Sequence, residues 1–431
     1  MQNLPYDAVL FDLDGTLTCS ENGILSSLRY ALQQMKVPVP TDDALKQYIG
    51  PPLRETFKQI TEFSDAQANE AVQHYVSHFD REGMYQYSVF PHIRTLLTLL
   101  KQHGVYLAIA TSKPISRTLR LFEHFHMLRY FDCVIGEKSN EKQIGKAELV
   151  KRALPESYQR AVMVGDRKYD VEGAKANGID SIGVRYGYSV ADELERAGAT
   201  YIVDTQQDLI TLLCPDCKIP TGFFLTIEGM DGSGKTTQIN QLAKSLRDYG
   251  YDIIQTREPG GCRISEEIRD LILTTDNMEM SAACEALLYA AARAQHVHQV
   301  IRPAVEAGKL VLCDRFVDSS IAYQGGGRAL GVDEVAQINA FAVDTMTPDA
   351  TVYLAIDHQQ ALNRRKKATK LDRLEIEPPL FYERTQHAYE KLIQDSPDRF
   401  LVVDGKKSVD ALAMDILQGV LRRLEAAEGI D

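Results

Sequence analysis

The chain has 431 residues, more than one hydrophobic core normally holds, so two or more domains are expected. Apolar residues make up 44 % and charged residues 25 %, an ordinary globular composition that argues against a disordered chain. The formal net charge of −12 excludes a generally basic nucleic-acid coat, which needs excess Lys and Arg to displace counterions, but leaves room for local basic pockets.

The opening MQNLPYDAVLFDLDG enters a strand at once and lacks a charged stretch followed by an apolar one, so no secretory signal is expected. Its apolar run, Tyr6 to Phe11, reads as a buried parallel strand leading into Asp12-Leu-Asp14-Gly-Thr-Leu. Helical stretches then fill about Glu21 to Tyr87, which predicts a helical cap of about residues 18–88 inserted after that strand. Further strands are expected at Val105 to Thr111 and in CVIG, AVMVGD, SIGV and YIVD. The segment LLCPDCKIPTG has two prolines and a glycine and neither period, which predicts a linker at 214–221 between domains 1–213 and 222–431. Cys214 and Cys217 form a single CxxC there, weak evidence for zinc or redox chemistry. Seven cysteines are odd in number and too sparse for a disulfide framework, which points to reduced thiols and a cytoplasmic protein. The second domain repeats the organisation of the first: Phe223 to Glu228 runs into a glycine-rich loop, followed by DIIQT, helices, Leu310 to Asp314, TVYLAI and FLVVD. Both halves are therefore read as α/β with doubly wound parallel sheets, whose ligands sit beyond the carboxyl ends of the strands. No apolar run approaches the roughly 20 residues that a membrane span needs.

The loop after Glu228 satisfies G-x-x-x-x-G-K-[ST] at a strand-to-helix junction. Gly229, Met230, Asp231, Gly232, Ser233, Gly234, Lys235, Thr236 and Thr237 are the expected ATP-binding residues. The glycines let backbone N–H groups approach phosphate oxygens at the positive end of a helix, Lys235 suits the β- and γ-phosphates, and the Thr236 hydroxyl suits Mg²⁺. Beyond it come Arg257-Glu-Pro-Gly-Gly, Leu-Leu-Tyr289-Ala-Ala-Ala-Arg293, Asp314-Arg315-Phe316, Ser319-Ser-Ile-Ala-Tyr323-Gln324-Gly-Gly-Gly, and Leu371-Asp372-Arg373 after the basic run Arg364 to Lys367. In that order these motifs resemble the thymidylate kinases over residues 222 to 424. The resemblance implies a P-loop kinase fold, a dimer through this half, and transfer of the ATP γ-phosphoryl group to dTMP. It implies that Arg257 and Arg315 fork onto the dTMP phosphate, that Tyr289 stacks on thymine, and that Arg293 reads the base edge, with Ser319 and Gln324 adding hydrogen bonds. Tyr323 would crowd a ribose 2′-OH, while Asp231 and Asp314 would order the acceptor, the metal and its water. Gly232 stands where one class of the family carries a catalytic Arg, so the lid residues Arg365 and Arg373 become the catalytic candidates.

In the first half, Asp12-Leu-Asp14-Gly-Thr after its strand is followed by Thr111-Ser112-Lys113 after the next strand, by Lys146 in GKAE, and by Gly165-Asp166-Arg-Lys-Tyr-Asp170 after another. This set resembles the haloacid-dehalogenase-like phosphatases over residues 5 to 213, closest to the phosphoglycolate-phosphatase and 5′-nucleotidase branch. The resemblance makes Asp12 a nucleophile that forms an aspartyl-phosphate and Asp14 the acid and later base. Asp12, the Asp14 carbonyl and Asp166 would hold Mg²⁺, with Asp170 acting on it through water, and Thr111 and Lys146 would hold the phosphoryl oxygens. Substrate choice would lie in the cap, where Arg54 is a candidate contact. The leading expectation is a bifunctional enzyme acting on ATP, dTMP and an unidentified phosphomonoester, without nucleic-acid or membrane partners. The other readings are a dTMP kinase carrying a non-catalytic phospho-ligand-binding or assembly module, and a kinase of broader nucleotide choice.

Overall fold

The structure is a computed structural model and describes residues 4–46, 48–49, 53–138, 144–357, 360–361, 373–374 and 377–430. The chain divides into two compact units, the first running to Lys218 and the second beginning at Ile219.

In the first unit the strands are β1 (Ala8–Phe11), β2 (Thr18–Cys19), β3 (Ser88–Val89), β4 (Tyr106–Pro114), β5 (Cys133–Glu137), β6 (Ala161–Gly165), β7 (Asp180–Val184) and β8 (Tyr201–Val203). Six of them form a parallel sheet in the order β5-β4-β1-β6-β7-β8. All four residues of β1 are fully buried, as a central strand covered on both faces requires. Leu10 packs with Ala108, Met163, Leu149 and Val150 in one core cluster. Each such large apolar side chain is worth roughly 1.5–3 kcal/mol when buried, so Leu10→Ala would cost about 2–5 kcal/mol. Phe11 pairs with Ile109 and Val164, so the chain leaves β1, β4 and β6 along one edge. The short antiparallel pair β2–β3 brackets a helical insertion whose helices Glu21–Gln34 and Asp65–Arg81 pack together. Gly23 lets the turn after the second helix approach the first, since a Cβ there would lie 2.1 Å from the Gly83 carbonyl oxygen. Ser64 starts the second helix with a reciprocal cap to Gln67, worth about 1 kcal/mol.

The second unit contains β9 (Phe223–Gly229), β10 (Ile253–Arg257), β11 (Leu310–Asp314), β12 (Ala350–Ala355) and β13 (Phe400–Asp404) in a parallel sheet of order β10-β11-β9-β12-β13. Arg257 and Ile227 both align with Asp314, so the glycine-rich loop and the segments after β10 and β11 emerge together. The expected α/β class and the strands of both halves are present in the order read from the sequence. No helix among the described residues is long and apolar enough to cross a membrane.

Candidate active sites

In the first unit the Asp12 N–H donates to Val164 O at 2.9 Å, laying the turn after β1 against the end of β6. Asp166 follows β6, and Asp170 lies in the first turn of the helix Lys168–Ala176. Carboxylate oxygens of Asp12, Asp166 and Asp170 come within 4.8 Å of one another. Lys146, first in the helix Lys146–Ala153, answers part of their charge, with Nζ 2.5 Å from Asp12 Oδ1 and 2.6 Å from Asp170 Oδ1. Burial opposes the Lys146 charge, but Asp12 and Asp170 outweigh it and hold its pKa above the ordinary range. Burial, reinforced by the charges of Asp12 and Asp170, pushes Asp166 well above the usual carboxylate range. Asp170 is raised to about 6, mainly by burial, with Lys146 opposing and Asp12 adding to the rise.

Asp166 Oδ2 accepts from the Tyr188 N–H at 2.7 Å, whereas its Oδ1 is buried without a hydrogen-bond donor. An all-oxygen cluster with excess negative charge and an unanswered buried oxygen fits a hard divalent cation such as Mg²⁺. Gly15 is obligatory beside it: φ is +84°, and a Cβ would fall 2.2 Å from Asp166 Oδ2. Asp14 has separate partners, an ion pair from Lys113 at 2.6 Å and a hydrogen bond from Thr18 Oγ1 at 3.4 Å. Lys113 also donates to the Tyr87 hydroxyl at 3.0 Å, and Thr111 Oγ1 accepts from the Lys113 N–H at 3.2 Å. Sequence reasoning noticed Lys113 only as part of a motif and missed Tyr87 and Tyr188, which come from distant segments without a motif of their own. Arg54 pairs with Asp65 at 2.9 Å, within its own cap; Gly50, Pro51 and Pro52 beside it lie outside the described residues.

In the second unit, a cavity of about 620 Å³ is lined by the loop residues Asp231, Gly232, Gly234, Lys235, Thr236 and Thr237, by Arg257, Tyr289, Arg293 and Asp314, and by Arg315, Ser319, Tyr323 and Gln324. Gly229, Gly232 and Gly234 all have positive φ, the backbone form that turns the loop around a strand end. Met230 and Ser233 are buried beneath it. Lys235 Nζ donates to the carbonyls of Gly229 at 3.1 Å and Met230 at 3.0 Å. Burial and then Arg315 push its pKa down to about 8, with Asp231 opposing. Thr236 Oγ1 donates to Asp314 Oδ2 at 3.3 Å, while Asp314 Oδ1 is buried without a donor, a pair of oxygens that fits Mg²⁺.

Around the rest of the cavity, Arg315 reaches Asp231 at 2.5 Å and Ser319 Oγ at 2.9 Å, with its guanidinium 5.0 Å over the Tyr323 ring. The Tyr323 hydroxyl donates to Asp231 at 3.0 Å. Arg257, half exposed, pairs with Glu266 at 2.9 Å. Tyr289 is 9 % exposed and packs in a core cluster with Tyr323 and Phe381 while lining the cavity.

Residues 227–416 match the family model Thymidylate kinase, and residues 9–184 match Haloacid dehalogenase-like hydrolase. A thymidylate kinase of Geobacillus sp. (strain WCH70) is 47 % identical over 206 residues, covering 47 % of this chain and 98 % of that protein. The chain belongs to the thymidylate kinase family. A thymidylate kinase of Lactobacillus delbrueckii subsp. bulgaricus is 51 % identical over 191 residues, covering 44 % of this chain and 90 % of that protein. Among solved structures, a haloacid dehalogenase-like family hydrolase from Streptococcus pneumoniae has 29 % identity and a TM-score of 0.43, covering 48 % of this chain and 97 % of that one. A structure described as a predicted phosphatase from Clostridium acetobutylicum has 38 % identity and a TM-score of 0.42, covering 47 % and 96 %. The chain is thus an enzyme that joins a haloacid dehalogenase-like hydrolase domain to a thymidylate kinase domain.

Three expected roles in the kinase domain look different in three dimensions. Arg293 is 1 % exposed and commits donors to Glu258 at 2.6 Å, Ser320 Oγ at 3.1 Å, Phe316 O at 3.0 Å and Asn339 Oδ1. Four of its five N–H groups are spent on the protein, so it braces the cavity wall and keeps little capacity to read a base. Gln324 lines the cavity, but its amide N–H₂ donates to the buried Glu285 at 2.9 Å. Arg373 is 3 % exposed and pairs with that same Glu285 at 2.5 Å, while its Nε donates to Ile272 O at 3.0 Å. That pairing commits the buried Arg373 side chain to a carboxylate of the protein, because a buried arginine must find an acidic partner. Arg364, Arg365, Lys366, Lys367, Leu371 and Asp372 lie outside the described residues.

Proposed function

We propose that the kinase domain transfers the γ-phosphoryl group of ATP to dTMP and that the hydrolase domain cleaves a phosphomonoester through Asp12. The kinase reading is carried by one cavity in which the P-loop, with Lys235 and Thr236, faces Arg257, Tyr289, Arg315 and Tyr323. Two phosphorylated substrates meet there, so positioning and charge neutralisation suffice and no strong base is needed. Arg257 and Arg315 hold the acceptor phosphate, Lys235 the donor phosphates, and Tyr289 supplies the face on which thymine stacks. Thr236 and Asp314 would hold Mg²⁺, which neutralises charge on the phosphate oxygens. Formation of ADP and dTDP from ATP and dTMP tests this; equal rates with dUMP, CMP and AMP would replace it by the broader kinase.

The hydrolase reading is carried by Asp12, Asp166 and Asp170 gathered around Lys146. An Asp12 oxygen attacks phosphorus, the ester bond breaks, and Asp14 gives its proton to the leaving oxygen. Asp14 then takes a proton from water, whose oxygen attacks the aspartyl-phosphate and releases inorganic phosphate. Asp12, the Asp14 carbonyl, Asp166 and Asp170 would hold Mg²⁺. With an aryl phosphate, Asp14→Asn should accumulate a phosphate adduct on intact mass. Turnover by Asp12→Asn would rule out this mechanism, and inactivity of the wild type across a broad panel would favour the binding-module reading.

The kinase domain is also proposed to dimerise. Its adjoining helices Arg263–Leu273, Ala282–His296 and Val332–Val343 leave Leu271, Leu287 and Phe341 exposed, Phe341 by 91 %.

A further inference from the structure

We infer that Glu228 is a positioning residue of the kinase reaction, acting through Arg315; the inference rests on the kinase reading above. Glu228 is the penultimate residue of β9, directly before the P-loop, and is fully buried. When ionised, a buried carboxylate accepts only, so the groups around it must donate. One oxygen, Oε1, accepts from the Phe316 N–H at 2.7 Å. The other, Oε2, accepts from the Ser319 hydroxyl at 2.6 Å and from the Tyr389 hydroxyl at 2.8 Å.

These bonds fall on both ends of one catalytic arm. The backbone of Arg315 has φ +70°, a left-handed form that a non-glycine residue holds only when its surroundings enforce it. Its N–H is tied to Ile227 O at 3.0 Å and the next N–H to Glu228, so adjacent residues of β9 grip the strained turn. At the far end, the Arg315 guanidinium rests on Ser319 Oγ at 2.9 Å, and that same hydroxyl donates to Glu228. One carboxylate thus fixes the pivot of Arg315 and the stop against which its side chain leans. Burial raises the Glu228 pKa to about 7, with Asp318 adding and Arg315 opposing. Burying an acid there costs stability, and what it secures is the geometry of Arg315.

Glu228→Gln keeps the shape but turns an N–H₂ toward groups that can only donate or must rotate away. In the full-length protein with ATP, dTMP and Mg²⁺, we expect kcat/KM for dTMP to fall at least tenfold while KM for ATP stays within about twofold. In a double-mutant cycle with Arg315→Lys the two losses should be non-additive, because both act through one arm. Additive losses, or equal shifts in the ATP and dTMP parameters, would assign Glu228 a merely structural role and overturn the inference. If Glu228→Gln does not fold, Glu228→Asp withdraws the same charge by one methylene and should show the same split in smaller measure. A wild-type protein that makes no dTDP would instead overturn the kinase reading itself.

Discussion

The two domains move phosphoryl groups with opposite charge. The hydrolase site concentrates three carboxylates around Lys146, whereas the kinase cavity sets Lys235, Arg257, Arg269, Arg293 and Arg315 against the fewer carboxylates Asp231, Glu258 and Asp314. The difference follows from where the nucleophile resides. In the proposed hydrolase step the protein supplies it, so an anion must be held beside an anionic substrate and a cation is required to join them. In the proposed kinase step the substrate phosphate is the nucleophile, and the protein needs mainly cations to bring two anions together.

The sharpest way to break this comparison is to remove one central group from each site. Lys235→Ala should lower dTDP formation by about a thousandfold or more and leave phosphate-ester hydrolysis within about twofold; Asp12→Asn should do the reverse. A single substitution that silenced both activities would mean that the sites do not act independently.

Arg373 sharpens the comparison within the kinase domain. Its pairing with Glu285 makes Arg373→Ala a loss of a buried partner, partly relieved because Arg328 and Gln324 still hold that carboxylate. We expect a loss of about 1–3 kcal/mol in the unfolding transition of this domain. Unchanged melting with a large fall in kcat would return Arg373 to the transfer step that its motif suggested.

The opposite charge of the sites should also give opposite pH slopes in metal-free and nucleotide-free protein. Asp170 titrates near 6 rather than 3.8, so the folded state binds more protons there and its contribution to stability declines as pH rises from about 4 to 6. Lys235 titrates near 8 rather than 10.5, so the unfolded state binds more protons and stability rises between those values. Asp170→Asn should gain on wild type across the first window, and Lys235→Met should lose its advantage across the second, each by about 1–3 kcal/mol in chemical denaturation. A flat difference in either window would show that the group is not strained by its site. The smallest effect expected concerns the surface: Phe341→Glu should shift the sedimenting species toward monomer with little change in hydrolysis. An unaltered sedimentation profile would remove that helix face from the dimer.

The sequence by itself determined both α/β folds, because buried parallel strands are continuous apolar runs and a motif after a strand must fall at the carboxyl edge of the sheet. It also brought to light Asp12, Asp166, Asp170, Lys146, Lys235 and Thr236, whose chemistry is written in short local patterns. Only the tertiary structure decided who pairs with whom. Lys113 reaches Asp14, Arg293 braces Glu258, Arg373 meets Glu285, and Glu228 holds the arm of Arg315. None of these pairings has a characteristic spacing. A charge taken out of water binds the nearest complementary group that folding delivers, and that group often comes from a distant stretch of chain.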